Sequence, residues 1–289
     1  MASFIQDIVS GIATGSIYGL VAIGLVLVYK STGVFNFAHG EFVALSAFLL
    51  TSLTAALGAG WLAIVAVLVI VPILGVLVHY LIIRPMMGKP LLATVMTTIG
   101  LGLALRALIL ILYGPDPRQF DGPIPSNAVD IGSVRIAVSD LLTIGIAVVC
   151  LLLFGLFFTR SSLGLQMRAV ANQMEASILS GVNASRIYAV AFGVGALLAA
   201  VAGVLLASTS VVSVQLSNLA LIAFPAVIIG GISSVQGAIV GGILVGVLEK
   251  LAEAYASQQA AIAVVYAVLL AVLLLRPQGI LGTREAMRA

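Results

Sequence analysis

The sequence predicts an all-α, polytopic helical membrane protein with about eight to nine transmembrane or re-entrant helices. Of its 289 residues, 62% are hydrophobic and only 8% charged, whereas a soluble domain is roughly 25% charged. Apolar runs of about 20 residues recur from end to end, each long enough to cross a hydrocarbon core of about 30 Å. Most basic residues fall between or after those runs, as they do in loops facing the cytoplasm.

Spans are predicted over residues 8–29, 37–57, 61–83, 91–113, 139–159, 187–209 and 258–275. Met1 to Asp7 carry no positive charge, and the run that follows is too long for a signal-peptide core, so no cleavable signal is expected. Gly11, Gly15 and Gly19 form two overlapping GxxxG units in the first span. Gly237 with Gly241, and Gly242 with Gly246, repeat the pattern; such spacing lets helix backbones approach closely. Cys150 stands alone in an apolar run with neither a disulfide partner nor metal-ligand spacing, and reads as a small hydrophobe.

Between the first two runs lies "GVFNFAHGEFVALSA", which places Asn36, His39 and Glu41 within six positions, flanked by Gly33 and Gly40. Polar side chains at membrane depth face the protein interior or a cavity. Asn36 and His39 are therefore candidates for a translocation path. The competing reading puts them at the cytoplasmic interface, with Asn36 as N-cap and Glu41 in the first helical turn. His79 reads as interfacial, near the inner end of its span. Arg106 lies well inside the fourth span, where insertion costs about 2.5 to 3.5 kcal/mol. It is expected to snorkel outward or to find an acidic or carbonyl partner, with snorkelling or a partner in the sister subunit favoured over substrate binding.

The 114–138 loop mixes Asp116, Asp121 and Asp130 with Arg118, Arg135 and four prolines, Pro115, Pro117, Pro123 and Pro125, and suits the outer side. Lys30, Arg84, Lys89, Arg160, Arg168, Arg186, Arg276, Arg284 and Arg288 mark cytoplasmic loops. Parity then puts the N-terminus outside and the C-terminus in the cytoplasm.

Segment 160–188, the longest cytoplasmic loop, sets Leu163, Leu165, Met167, Val170, Met174 and Ile178 in one apolar stripe along a short helix. Gly181 supplies a left-handed stop and Ser185 a cap for the next span. Such a helix suits docking into a groove on a partner protein, since a lipid-surface helix is usually richer in Lys, Arg and aromatic residues.

Region 217–250 is interrupted by Pro225, Gly230, Gly231, Ser233 and Ser234. That leaves two pieces of roughly 16 residues, about 24 Å each, expected to be short spans or a re-entrant pair. A broken helix at membrane depth lines protein or a water-filled cavity. Gly24 precedes Asn36 by the same interval as Gly203 precedes Gln215, and each apolar helix leads to a polar patch, the second being Gln215, Ser217 and Asn218. This suggests an inverted repeat whose two patches meet. Glu249, Lys250 and Glu253 read as a solvated outer edge.

Glu175, Ala176, Ser177 and Gly181 resemble the EAAxxxG loop by which ABC-importer permeases engage their ATPases, with Ser177 departing from the second Ala. "NFAHGE", the 168–205 block and "AFPAVIIGGISSVQGAIVGGILVGVLE" are similar to the LivH family of branched-chain amino acid ABC-importer permeases. The resemblance covers effectively the whole chain. It implies one transmembrane permease domain over 1–289 in the bacterial inner membrane, paired with a second related permease. It further implies two cytoplasmic ABC ATPases, which hold the ATP and Mg, and a periplasmic or lipid-anchored solute-binding protein. On this resemblance ATPase coupling falls to Arg168, Met174, Glu175, Ala176, Ser177, Ile178 and Gly181. Leucine, isoleucine and valine are the implied solutes, with urea, short amides and small organic acids as alternatives.

No GxxxxGK[ST] phosphate loop is present in the chain, and neither a metal site nor a nucleophile constellation is legible. The chain therefore reads as a non-catalytic subunit with no cofactor of its own and no nucleic-acid partner. An ATP-independent transporter or channel would call for a paired acid inside the spans, and most carboxylates fall in loops.

Overall fold

A computed structural model describes residues 2–120, 122, 127–131 and 134–282. Asp121, Pro123, Pro125, Arg284 and Arg288 lie outside the described residues. Among the described residues, eight helices are long and apolar enough to cross a membrane. They are α1 (Ala2–Thr32), α2 (His39–Leu57), α3 (Gly60–Val78), α4 (Leu91–Tyr113), α5 (Val138–Arg160), α8 (Ala184–Thr209), α10 (Val235–Tyr255) and α11 (Gln258–Leu275). Between α5 and α8 lie α6 (Ser162–Asn172) and α7 (Met174–Leu179); a 3-10 turn (Val214–Asn218) leads into α9 (Leu219–Gly230). Every predicted span is a helix.

Region 217–250 breaks where expected but unequally. α9 is short, while α10 is a full 21-residue helix capped by Ser234, whose hydroxyl accepts from the Gly237 N–H at 3.0 Å. Pro225 is carried inside α9 rather than ending it. The 114–138 loop holds a hairpin, β1 (Ala128–Ile131) paired antiparallel with β2 (Val134–Ala137), with Asp130 opposite Arg135. Short β-branched pairs such as Val129 and Ile136 supply its register.

The chain forms two compact units. One comprises residues 27–124 and 148–219, the other 1–26, 125–147 and 220–289.

In the first unit α2 is buried almost continuously from His39 to Thr51. Small residues make this possible. A Cβ on Gly203 of α8 would overlap the α2 backbone at Val43 and crowd Ser46. One on Gly75 of α3 would fall 2.6 Å from the Ala196 Cβ. On α3, Val67, Val71, Gly75 and His79 share one row and all are buried. His79 is therefore enclosed, 0% exposed, between Tyr80, Tyr188 and Phe192. It opens a π-helical turn, His79–Ile83, that extends α3.

In the second unit the glycine pattern does what its spacing implies. A Cβ on Gly15 would lie 2.6 Å from the Ile243 Cα, and one on Gly242 would lie 2.5 Å from the Gly19 nitrogen. α1 and α10 thus meet backbone to backbone. Tyr18, 3% exposed, faces Glu249 on α10, and Ser10 donates to Asp140. Glu249 therefore sits on a helix against α1, not in a solvated edge. Lys250 and Glu253 do form an exposed ion pair at 2.8 Å. After α11 the chain returns to α9, where Ile280 and Leu281 N–H groups donate to the carbonyls of Ile229 and Gly230 at 2.8 and 3.0 Å.

Candidate functional site

α1 stops at Gly33, whose φ of +73° is left-handed and whose N–H donates to the Tyr29 carbonyl at 2.7 Å. The chain then turns through Val34–Ala38, with Phe35 stacked on Tyr29 at 4.3 Å. The Asn36 side-chain oxygen accepts from the Ala38 N–H at 3.2 Å. Ala38, not Asn36, is the N-cap of α2, so Asn36 shapes the turn before the helix instead of capping it.

The depth of this turn follows from its neighbours. A Cβ on Gly102 would meet the Ala38 Cα at 3.5 Å, and Gly102 is the midpoint of Leu91–Tyr113. Thr98, one turn earlier, donates to the Phe35 carbonyl at 3.4 Å. The polar motif thus lies level with the middle of a span rather than at its end.

A cavity of ≈ 240 Å³ reaches from exposed Lys89 and half-buried Met86 inward to Asn36, walled by Thr98, Tyr188 and Phe192. At about 30 Å³ per water it has room for roughly eight waters or one small solute. Beyond its inner end, His39 is 1% exposed and Glu41 8%. The His39 Nε2 and Glu41 Oε2 have no hydrogen-bond partner. Buried polar atoms are almost always paired, so two orphans in one helical turn are notable. A second cavity of ≈ 410 Å³, beside half-buried Cys150 and lined by Leu153, Phe154 and Leu198, offers almost only apolar surface.

The two polar patches do meet, through Ser217. This residue is buried in the 3-10 turn against α2, donates to the Val214 carbonyl at 2.7 Å, and lies beside the Glu41 carboxylate. Gln215 and Asn218 point the other way and are exposed. The structure therefore joins Asn36, His39, Glu41 and Ser217 in one region and leaves Gln215 and Asn218 on the outer face of the same turn. Arg106, on the α4 row that contains Gly102 and Ile109, is half-buried and within electrostatic reach of Glu41. The sequence reading did not connect the two residues, because 65 positions separate them and only the parallel register of α2 and α4, set by Ala38 on Gly102 and Phe48 on Tyr113, brings them to one level.

The 160–188 segment is two helices, not one. Gln173 is extended (φ −149°, ψ 90°) and separates α6 from α7. The predicted stripe splits accordingly: Met167 and Val170 are buried, whereas Leu165, Met174 and Ile178 are exposed. Gly164 packs so tightly under Phe157 and Phe158 that a Cβ would overlap their carbonyls, which pins α6 to the end of α5. Arg168 helps, donating to the Thr159 carbonyl at 3.1 Å and lying over the Phe158 ring.

On α7, Ser177 is buried and its hydroxyl donates to the Gln173 carbonyl at 2.7 Å, while Glu175 and Ala176 are exposed. Gly181 (φ +86°) ends the helix as expected, and the Val182 N–H closes back on the Ser177 carbonyl at 3.0 Å. Asn183, not Ser185, caps α8, its side chain accepting from the Arg186 N–H at 3.1 Å. Two residues here escaped the sequence reading. Leu179 is 89% exposed at the tip of α7, and the Tyr188 hydroxyl donates to the Met174 sulfur at 3.3 Å, tying α7 to a wall of the Asn36 cavity.

Eight long apolar helices among the described residues, a polar turn held at mid-span and a helical elbow exposed between two of the spans define a multi-pass membrane protein. The chain belongs to the family described as branched-chain amino acid transport system, permease component, whose model matches residues 8–275. It is 33% identical over 297 residues to the high-affinity branched-chain amino acid transport system permease protein BraD of Pseudomonas aeruginosa, covering 98% of this chain and 97% of that one. It is 32% identical over 252 residues to the corresponding protein LivH of Escherichia coli K12, covering 82% of each. Among solved structures it is similar to PsaBC from Streptococcus pneumoniae in complex with Fab, with a TM-score of 0.53 at 16% identity over 95% of this chain and 92% of that one. That likeness establishes a shared fold.

Proposed function

We propose that this chain is a membrane-crossing subunit of an ATP-driven importer that moves branched-chain amino acids into the cell by alternating access. The observation that carries the reading is the family match over residues 8–275, with relatives named for that transport. In this reading the chain works as one permease domain in the bacterial inner membrane, N-terminus outside and C-terminus in the cytoplasm. It pairs with a second related permease, two cytoplasmic ATPases that hold ATP and Mg, and an external solute-binding protein.

The elbow supports the coupling role. Leu165, Met174, Ile178 and Leu179 give α6 and α7 an apolar, solvent-facing edge that suits a groove on an ATPase, with Glu175 and Ala176 beside it. Arg168, Ser177 and Gly181 hold the elbow's shape. Movement of α7 reaches the interior through Met174 and Tyr188. Asn36, His39 and Ser217 then line the inner part of the passage, and the exposed Gln215 and Asn218 face the part shared with the second permease. A 3-10 turn bearing two exposed polar side chains at mid-span depth is unsuited to lipid, which supports that placement.

The test is to purify the tagged full chain from its native membrane in mild detergent and identify what accompanies it by mass spectrometry. Recovery of a Walker-type ATPase and a second permease is expected. A lone oligomer that transports leucine without ATP would overturn the proposal.

A further inference from the structure

The cavity that reaches Asn36 is complete within one compact unit of this chain, since every residue lining it falls within 27–124 or 148–219. No partner is needed to build it. It opens beside Lys89, in the turn between the end of α3 and the start of α4, and its wall includes Tyr188, one turn into α8, whose hydroxyl holds Met174 of α7. The mouth therefore lies on the face that carries the elbow.

Two polar groups on the lining are uncommitted, and both are hydrogen-bond donors. Lys89 is exposed at the mouth, and among the described residues its ammonium makes no hydrogen bond and no ion pair. Asn36 is 2% exposed at the inner end; its oxygen is taken by the Ala38 N–H at 3.2 Å, whereas its nitrogen donates to no described residue. A buried donor calls for an acceptor.

The rest of the lining narrows the choice. No Asp or Glu belongs to it. Thr94 and Thr98 direct their hydroxyl hydrogens to the Met86 and Phe35 carbonyls, so they offer neutral oxygens, which are weaker partners for a full positive charge than a carboxylate. Val34, Ile83, Met86, Leu91 and Phe192 make the remaining wall apolar. At about 30 Å³ per water, the ≈ 240 Å³ equals roughly eight waters, room for one small acid and not for a phospholipid.

We propose that this cavity is a binding site for a small aliphatic 2-oxo acid, its carboxylate accepting from the Lys89 ammonium, its 2-oxo oxygen from the Asn36 amide, and its hydrocarbon end resting on the apolar wall. The matching amino acid binds worse, because its ammonium replaces the acceptor that Asn36 needs and meets no carboxylate. The site goes beyond the transport reading and does not rest on it. Removal of the amino group from an aliphatic amino acid yields this class of compound, so a solute carried inward and then deaminated would return to the chain at this site.

The experiment is equilibrium binding of radiolabelled 4-methyl-2-oxopentanoate to the purified full-length chain in lipid nanodiscs, against empty nanodiscs. Competitors are leucine, which has an ammonium in place of the oxo group, and 4-methylpentanoate, which has neither. Saturable binding is expected, preferred over leucine by at least about tenfold and over 4-methylpentanoate by about two- to tenfold, the scale of one neutral hydrogen bond. Lys89→Gln should weaken binding by about two- to fivefold, as for an exposed ion pair, and Lys89→Arg should restore it. Asn36→Asp keeps the acceptor for the Ala38 N–H but replaces the amide donor with an acid; it should abolish the preference for the oxo compound over 4-methylpentanoate. A merely structural role for either residue would not split the ligands in this way.

Absence of saturable binding above empty nanodiscs, leucine binding as tightly as the 2-oxo acid, or wild-type affinity in both Lys89→Gln and Asn36→Asp would overturn the site. ATP-driven leucine uptake by the assembled importer is measured in parallel. Uptake without 2-oxo acid binding would remove the site and leave the importer, whereas binding without ATP-driven uptake would do the reverse.

Discussion

Gly181→Val isolates the contribution of the elbow's geometry. Gly181 holds a φ of +86°, and a Cβ built there meets nothing within 4 Å. The substitution therefore introduces strain without a clash. A β-branched residue held in the left-handed region costs about 1 to 3 kcal/mol, and the chain can escape only by changing φ. That escape gives up the Val182 N–H to Ser177 carbonyl bond of 3.0 Å in wild type and variant alike. The native shape of α7 is therefore disfavoured by the strain alone, about 1 to 3 kcal/mol, a population shift of roughly fivefold or greater.

Because Gly181 is exposed and outside every span, membrane insertion and the packing of α2, α3 and α8 should be unaffected. The assay is ATP-dependent leucine uptake by the importer assembled with its partner subunits, normalised to permease in the membrane. Uptake by the variant should fall at least about fivefold, and Gly181→Asn, which tolerates the same conformation, should stay near wild type. Wild-type uptake by Gly181→Val, or an equal loss in both variants, would refute the reasoning.

Asn36→Leu removes the acceptor for the Ala38 N–H and the polar end of the cavity; uptake per molecule should fall at least about tenfold while size-exclusion profiles stay unchanged, and equal loss of folding and uptake would reduce Asn36 to a turn residue. Tyr188→Phe deletes the hydroxyl that donates to Met174; solute moved per ATP hydrolysed should drop by about two- to tenfold with hydrolysis itself preserved, and an unchanged ratio would exclude this link. Gly246→Leu forces a side chain into the α1 backbone at Gly15 and Gly11; the thermal midpoint of the purified chain should fall, in line with overpacking costs of about 1 to 3 kcal/mol, and an unchanged midpoint would contradict the close approach of α1 and α10.

The spans were legible because bilayer thickness imposes a length and hydrocarbon a composition, and both are one-dimensional. The break near Gly230 and Gly231 and the stop at Gly181 were legible for the same reason, since glycine marks local conformations. Which side of a helix faces which neighbour was harder to read. All sides of a span are apolar, so no local pattern showed that the row of Val67, Val71, Gly75 and His79 would be the enclosed one. Glu249 was assigned to solvent although α10 carries it past Tyr18. The elbow was read as one helix because periodicity runs through Gln173 without interruption, and no local pattern marks the extended residue there. Glu41 and Arg106 were each weighed alone. Their alignment depends on the register of two helices, which is set by Ala38 on Gly102 and Phe48 on Tyr113, and no local pattern encodes it.

The most direct measurement is solute movement itself. The complete importer is reconstituted in liposomes with ATP on the face that carries the elbow and labelled leucine with the solute-binding protein on the other. Leucine accumulation that requires ATP, requires the binding protein and is lost in Gly181→Val is the predicted result. Accumulation independent of ATP, or ATP hydrolysis without leucine movement in the intact assembly, would contradict it.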